Sequence, residues 1–476
     1  MLADVLGALA LVFGITVLVV GAIRLAQTPF ALAYELKYRR PPADAPPEAG
    51  SVFDTPPRVS VVVPAYNEAV VIGNCVRSIA RSNYPDFEVI CVDDGSSDNT
   101  FELMAGLAGE LSGVRAVRQD NAGKGAALNR GLGLASGEVV MLVDADGIFR
   151  PDTITEMVRG FDDPAVGAVC GDDRTVNLDR VQTRFLALVS HVGTGLMRRA
   201  LHMLHALPVV SGNTGAFRRD VLELTGPLRE DTVGEDLELT WRIYRAGYRV
   251  AFRPTALVYA ESPSTVAGLF KQRVRWARGL LQSVGMHRDL VGNPRYGPFG
   301  VYLAVNYVSQ VVVPIIQVLA LVVLAWLAAV GPPGQVPVTL WAWVVFVGLP
   351  VSLALLVLSV FLDRAVGDLR FAWTLPLWPF YSTLMTVVML RAIWLELRGA
   401  ENRWNKLERT GTVSVTTGEP GPGPTTSRSP TDSSKRTDPT PGRTPPDSSM
   451  GTDPTASRTP PPAPDPPNGD RPTGAC

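Results

Sequence analysis

The stretch VVMLVDADGIFRPD, residues 139–152, climbs through an apolar run and then places Asp144 and Asp146 on either side of one alanine. Side chains two apart in a strand point to the same side. Both carboxylates are therefore expected to emerge together at the strand's C-terminal end. Like charges held side by side are costly unless a cation lies between them. A divalent ion is one answer and a solvated Asp-Gly turn is the other. This stretch alone leaves both open.

The elements that must position these carboxylates narrow the choice. VSVVVPAYNE (59–68), FEVICVDDGS (87–96), GVRAVRQD (113–120) and EVVMLVDADG (138–147) read as strands, with helix-like segments at Val70 to Ser82 and Thr100 to Ser112. Strands this apolar, separated by helices, imply an α/β fold with a mostly parallel sheet covered on both faces. Ligands of such sheets bind beyond the strands' carboxyl ends. Asn67, Glu68, Asp93, Asp94, Asp144 and Asp146 all fall on that rim. Folding alone does not explain so many polar strand ends on one side, and a binding site does.

The 476 residues carry a net charge of −1, so nothing global points to nucleic acid, although arginines crowd residues 242–278. Cys75, Cys91, Cys170 and Cys476 show neither paired nor metal-ligand spacing, and the central region reads as reduced and intracellular. Residues 1–40 hold an apolar run of about twenty residues, enough to span a bilayer. Asp4 precedes that run and Arg24, Lys37, Arg39 and Arg40 follow it. This favours an anchor with its C-terminal side in the cytoplasm over a cleaved signal peptide.

A Pro/Ala linker (41–57) leads into the soluble region, 58–290. Within 291–410 lie three apolar stretches, Val301 to Val330, Leu340 to Leu362 and Phe371 to Leu395. The first two read as clean spans. The third holds Pro376, Pro379 and Arg391, and reads as a kinked span or an interfacial helix. Residues 411–476, rich in Pro, Thr and Ser, have too little apolar surface to offset ordering entropy and are expected to be disordered.

Seven motifs recur in a telling order: VVVPAYNEA (61–69), VDDGSSDNT (92–100), NAGKGAALNRG (121–131), VDADG (143–147), SGNTGAFRR (211–219), VGEDLELTWR (233–242) and QRVRW (272–276). In this order the chain resembles the membrane-embedded family 2 glycosyltransferases of the processive, polysaccharide-synthase kind. That group includes the poly-N-acetylglucosamine, chitin-oligosaccharide, hyaluronan and cellulose synthases. The resemblance covers the soluble region and the flanking apolar segments but not the tail. It implies a glycosyltransferase-A domain that transfers sugar from a UDP-sugar, by inversion, to a growing β-linked polysaccharide, with export through the membrane. UDP-N-acetylglucosamine is the favoured donor.

Residue by residue, the resemblance implies that Pro64, Ala65, Tyr66 and Glu68 frame the base and that Asp94 holds the uracil. Lys124 supports the donor nucleotide, and Arg275 contacts the diphosphate. Asp146 becomes a ligand of Mg²⁺ or Mn²⁺, and Asp144 contacts the nucleotide or the same ion through water. Asp236 becomes the general base, with Glu235 as its orienting neighbour. Gln272, Arg273 and Trp276 form the acceptor floor together with Ser211, Gly212 and Asn213.

Plainer readings stand beside these. Asp93 and Asp94 could cap the helix opening at Thr100. Glu235 and Asp236 could simply favour a helix dipole, and QRVRW could lie on a membrane surface. NAGKGAALNR lacks the complete phosphate-binding loop pattern, because Ala126 follows Gly125. His191, His202, His205 and His287 read as structural. The expected partners are a UDP-sugar, an oligo- or polysaccharide acceptor, the lipid bilayer and accessory export or modification proteins, with no nucleic acid. The expected location is the cell membrane, multi-pass, with the catalytic domain in the cytoplasm. The alternatives are a single-sugar transferase acting on a polyprenyl phosphate or lipid, and an inactive membrane scaffold.

Overall fold

A computed structural model describes residues 21–38, 52–53, 55–330, 349–402 and 409–411. The chain divides into two units, Met1–Arg428 and Ser429–Cys476, and every described residue belongs to the first. The start of the N-terminal apolar run, most of the 41–57 linker, the stretch 331–348 and the tail beyond 411 lie outside the described residues.

The strands are β1 (Val59–Ala65), β2 (Phe87–Asp94), β3 (Val114–Gln119), β4 (Val139–Leu142), β5 (Ile148–Phe149), β6 (Val166–Thr175), β7 (Gly215–Arg218) and β8 (Arg249–Ala260). They form one eight-stranded sheet in the order β3-β2-β1-β4-β7-β6-β8-β5. β3, β2, β1 and β4 run parallel, as do β6 and β8, while β7 and β5 pair antiparallel to their neighbours. The expectation of a mostly parallel α/β sheet is met. The sequence did not show β5 to β8, because β5 is two residues long, β6 ends in polar residues and Pro254 interrupts β8.

Alternation along β1 divides the core. Val59, Val61 and Val63 join the cluster on one face, with Ile72, Ile79 and Met104. Val62 points to the other, with Leu128, Phe217, Leu239 and Trp241. Pro64 lies inside β1, paired with Val92, although proline is usually confined to strand edges. It is tolerated because β4 pairs only with Val59–Val62, so at Pro64 the strand has lost that neighbour.

The helices, in chain order, are α1 (residues 21–37), α2 (Ile72–Ala80), α3 (Thr100–Glu110), α4 (Lys124–Leu134), α5 (Thr153–Val158), α6 (Val181–His191) and α7 (Arg198–Met203). They continue with α8 (Arg219–Thr225), α9 (Glu235–Arg245), α10 (Val266–Met286), α11 (Gly297–Tyr307), α12 (Val313–Val330), α13 (Leu349–Leu362) and α14 (Trp378–Leu397). A π-helical turn, Val192–Met197, joins α6 to α7.

Among the described residues two segments, Pro294–Ile316 and Phe380–Leu397, are long and apolar enough to cross a membrane. The described part of the second apolar stretch, α13, is a shorter helix. The third stretch opens as a 3-10 helix, Val366–Leu377, that runs directly into α14 at Trp378, with Pro376 near the end of the first and Pro379 in the first turn of the second, where a missing N–H costs little.

The flanking helices are tied to the sheet domain by polar contacts. Tyr34 on α1 donates its hydroxyl to the Phe252 carbonyl (2.8 Å), and Glu35 pairs with Arg199 (2.7 Å). Beyond α13, Asp363 accepts from Thr194 (2.9 Å), pairs with Arg199 (2.6 Å) and bonds His191 (2.7 Å), whose other ring nitrogen meets Asp368 (3.0 Å). His191 and His287, which bonds Glu238 (3.0 Å), thus have acidic partners, and His202 accepts from the Phe252 N–H (2.9 Å).

Candidate active site

The strands' carboxyl ends and the starts of α4 and α9 bring the chemistry together. Lys124 opens α4, is buried, and bridges Asp144 (2.7 Å) and Glu235 (3.1 Å). Asp236 accepts from the Gly212 N–H (3.2 Å) and from the Leu237 N–H (2.8 Å). Gly212 packs close to both groups, since a Cβ there would stand 3.1 Å from Lys124 Nζ and 3.4 Å from Asp236 Oδ2. One lysine therefore links the Asp-x-Asp turn to the Glu-Asp pair, and one glycine seats the 211–214 loop on Asp236.

Charge separates the two acids of that pair. Burial pushes Glu235 up, but Lys124 and Arg275 outweigh it and hold the carboxyl below its usual range. Asp236 moves the opposite way, because burial and the neighbouring Glu235 charge together outweigh Lys124 and Arg275. Asp144 is held down by Lys124 despite its burial. A carboxylate raised in pKa beside one kept ionised is the pattern that divides acid–base roles.

The two aspartates of the opening motif do not share one side of a strand. β4 ends at Leu142, and Asp144 and Asp146 sit in the turn beyond it. They still face one site but meet different cations, since Asp144 meets Lys124 while Asp146 pairs with Arg409 (2.9 Å) and accepts from the Glu261 N–H (3.2 Å). Burial raises Asp146 in spite of Arg409. Among the described residues no three His, Cys, Asp or Glu side chains form a metal cage. Two hard carboxylates on one turn suit an ion whose remaining ligands are diphosphate oxygens and water. In that sense the donor set fits Mg²⁺ or Mn²⁺.

On the nucleotide side, Asp94 is fully buried and braces the neighbouring loop. Its Oδ1 accepts from Gln119 Nε2 (2.8 Å) and the Ala122 N–H (2.9 Å), and its Oδ2 accepts from the Gly123 N–H (2.9 Å). Asp93 is equally buried, held by Arg118 (3.2 Å) and the Ser96 N–H (3.2 Å), so neither aspartate caps the helix at Thr100. Pro64 and Ala65 belong to β1 and are buried, which leaves Tyr66 to Glu68 as the turn proper. Asn67 holds that turn at φ 55 by accepting from the Ser97 N–H (2.7 Å).

The residues expected to seat the acceptor lie on α10 and the 211–214 loop. Trp276 is 48% exposed, with the Arg273 guanidinium 4.1 Å from its ring centroid. Gln272 and Arg275 are half-buried on the same helix, and Arg275 bears electrostatically on Lys124, Asp144, Glu235 and Asp236. Ser211 accepts from the Asn213 N–H (3.4 Å).

Arg409 and Glu261 escaped the sequence reading. Arg409 lies in a basic stretch after the last helix that suggests only membrane topology, and no motif marks Glu261 at the end of β8.

A eight-stranded, mostly parallel sheet with acids at its carboxyl rim defines a glycosyltransferase-A-like fold, and residues 56–279 match the family model "Glycosyltransferase like family 2". Residues 56–279, just under half of the chain, are thus similar to the family 2 glycosyltransferases. It is 33% identical over 227 residues to the poly-beta-1,6-N-acetyl-D-glucosamine synthase of Staphylococcus aureus, an alignment covering 46% of this chain and 54% of that protein. The Staphylococcus epidermidis synthase of the same name matches at 33% over 226 residues, again 46% and 54%. The chain spans about half the length of these curated relatives. Among solved structures, a mannosyltransferase from Pyrobaculum calidifontis in complex with GDP-Man and Mn²⁺ superposes with a TM-score of 0.54 at 25% identity, covering 82% of this chain and 100% of that one.

Proposed function

We propose that the chain is an inverting, metal-dependent transferase that adds sugar from a UDP-sugar, UDP-N-acetylglucosamine first, to a growing β-linked polysaccharide. The observation that carries this reading is the Lys124 bridge between Asp144 and Glu235, which sets the donor-side turn beside the Asp236 carboxylate. The relatives named as poly-N-acetylglucosamine synthases support the donor and the polymer. The Mn²⁺ in the mannosyltransferase structure supports the use of a divalent ion.

In this mechanism Tyr66, Glu68 and the loop braced by Asp94 shape the nucleotide pocket, while Lys124 and Arg275 set positive charge beside the diphosphate. A bound ion held by Asp146 and Asp144 would neutralise charge on the leaving UDP. Asp236 takes the proton from the acceptor hydroxyl as that oxygen attacks the anomeric carbon. Glu235, kept ionised by Lys124, keeps the Asp236 carboxyl basic. Trp276, Gln272, Arg273 and the Ser211–Gly212–Asn213 loop seat the acceptor sugar. In this reading the protein sits in the cell membrane with this domain on the cytoplasmic side, which the length and apolar character of the Pro294–Ile316 and Phe380–Leu397 helices support.

Membranes carrying the protein, incubated with labelled UDP-sugars and GDP-mannose and then sized by gel, test the reading. A ladder or long polymer from UDP-N-acetylglucosamine is the expected result. A single transfer to lipid would replace it with the non-processive reading, and no transfer from any donor would overturn the enzyme assignment.

A further inference from the structure

The 211–214 loop carries the Gly212 N–H that meets Asp236, so whatever fixes the loop also fixes that carboxylate. Its two ends are tied to the sheet domain. The Val210 N–H donates to Thr240 Oγ1 (2.9 Å), and the Thr214 carbonyl accepts from the Gly171 N–H (2.9 Å). Beside the loop stands Asp173 of β6, which the mechanism does not use. Burial raises its pKa, and Arg198 together with the hydroxyls of Ser211 and Thr214 opposes that rise.

Arg198 opens α7 and supplies the cation behind Asp173. Its Nη2 lies 3.4 Å from Asp173 Oδ2, and its Nη1 donates to the Gly171 carbonyl (2.9 Å). One guanidinium thus spans the acid and the residue whose N–H holds Thr214. The neighbouring charges are committed elsewhere. Arg199 turns to Asp363 (2.6 Å) and Glu35 (2.7 Å). By alternation Asp172 and Arg174 lie on the other face of β6. There Asp172 accepts from Arg174 Nε (3.0 Å), and Arg174 Nη2 donates to the Asp363 carbonyl (2.9 Å). Arg199 and Arg174 therefore dock the flanking helices, and Arg198 and Asp173 are left to the loop.

We propose that Asp173 and Arg198 are positioning residues that hold the 211–214 loop, and through Gly212 the Asp236 carboxylate, in place for the acceptor. This rests on the reading of Asp236 as the base and of that loop as part of the acceptor's seat. The polarity of the contacts runs one way. The Asn213 N–H donates to Ser211 Oγ (3.4 Å), which leaves the Ser211 O–H to donate to an acceptor. An ionised carboxylate can only accept, so it fixes the hydroxyls that face it in one orientation. Hydrogen bonds to a charged group are also the stronger kind. Arginine keeps its charge at every physiological pH, and its planar fork reaches a carboxylate and a carbonyl at once.

The test is hydrogen exchange over residues 210–215, read by mass spectrometry on the full chain in detergent, beside UDP affinity by isothermal titration and the acceptor KM. The variants are Asp173→Asn, Arg198→Gln, Arg198→Lys, Ser211→Ala and the double variant Asp173→Asn with Ser211→Ala. Loop exchange and acceptor KM should each rise about tenfold in Asp173→Asn and Arg198→Gln, the scale of one lost bond to a charged group, with UDP affinity unchanged. Arg198→Lys keeps the charge and should fall between wild type and Arg198→Gln. The double variant should be no worse than Asp173→Asn alone, because the two residues act as one unit. Loop exchange equal to wild type in both charge variants would overturn the proposal. So would faster exchange spread over the whole sheet domain with UDP binding lost, which marks a merely structural role. Faster exchange confined to the loop, in a chain whose wild type transfers no sugar from any donor, would keep the tether and remove the transferase reading instead.

Discussion

Gly234 and Gly279 meet backbone to backbone. A Cβ on Gly234 would stand 2.8 Å from the Gly279 Cα, and one on Gly279 would stand 2.9 Å from the Gly234 Cα. Gly234 precedes Asp236 at the start of α9, and Gly279 lies one turn beyond Trp276 on α10. The contact therefore sets the distance between the proposed base and the acceptor floor. Gly279→Ala must push these helices apart. A misplacement of about 1 Å can lower turnover by roughly 10²-fold, and that loss is the expected outcome, with the protein still folded by thermal melt. Full turnover in this variant would show that the spacing is not used.

Removal of divalent ions should stop transfer, and Mg²⁺ or Mn²⁺ should restore it. Asp146→Asn should remain inactive after metal is returned, because the amide offers the ion only a neutral ligand. The measurement is labelled-sugar incorporation after chelation and re-addition. Undiminished incorporation in EDTA would end the metal assignment.

Trp276, with the Arg273 guanidinium over its ring, is the proposed acceptor floor. Trp276→Ala should raise the acceptor KM by about tenfold, the equivalent of ~1.4 kcal/mol, and leave UDP binding unchanged. Product lengths on a gel would shorten accordingly. An unaltered length distribution together with normal acceptor KM would remove Trp276 from the acceptor site.

The site was legible in the sequence where a short motif ends an element. The strand end at Asp94, the turn just past β4 at Asp144, and the helix starts at Lys124 and Glu235 carry their position with them. Contacts between distant segments were not legible. Asp146 meets Arg409, and His191 meets Asp363, through packing of elements whose mutual placement no local pattern encodes. The strand-alternation argument for Asp144 and Asp146 failed in its premise, since both follow the end of β4, yet the turn delivers both to the same rim. Pro64 falls inside the strand read at 59–68 and is tolerated there because β4 stops short of it.

Asp236 is the proposed base, and its surroundings define a pH signature. Burial first, and the Glu235 charge second, raise its pKa. An acid with a raised pKa keeps its proton to higher pH, and a general base must have lost it. Activity should therefore fall as pH drops through a value above the ~3.9 of an exposed aspartate. Glu235→Gln removes the neighbouring negative charge, so the same acid limb should move to lower pH while turnover falls less than in the base variant. Asp236→Asn keeps size and shape but cannot take a proton, and should lower kcat by ~10² to 10⁴-fold. UDP affinity by isothermal titration should stay near wild type, since the Asp236 contacts run to the backbone of Gly212 and Leu237 on the acceptor side. An effect confined to turnover marks a transition-state role. If Asp236→Asn turns over normally, or loses UDP binding instead, the Glu235–Asp236 pair is only the start of a helix.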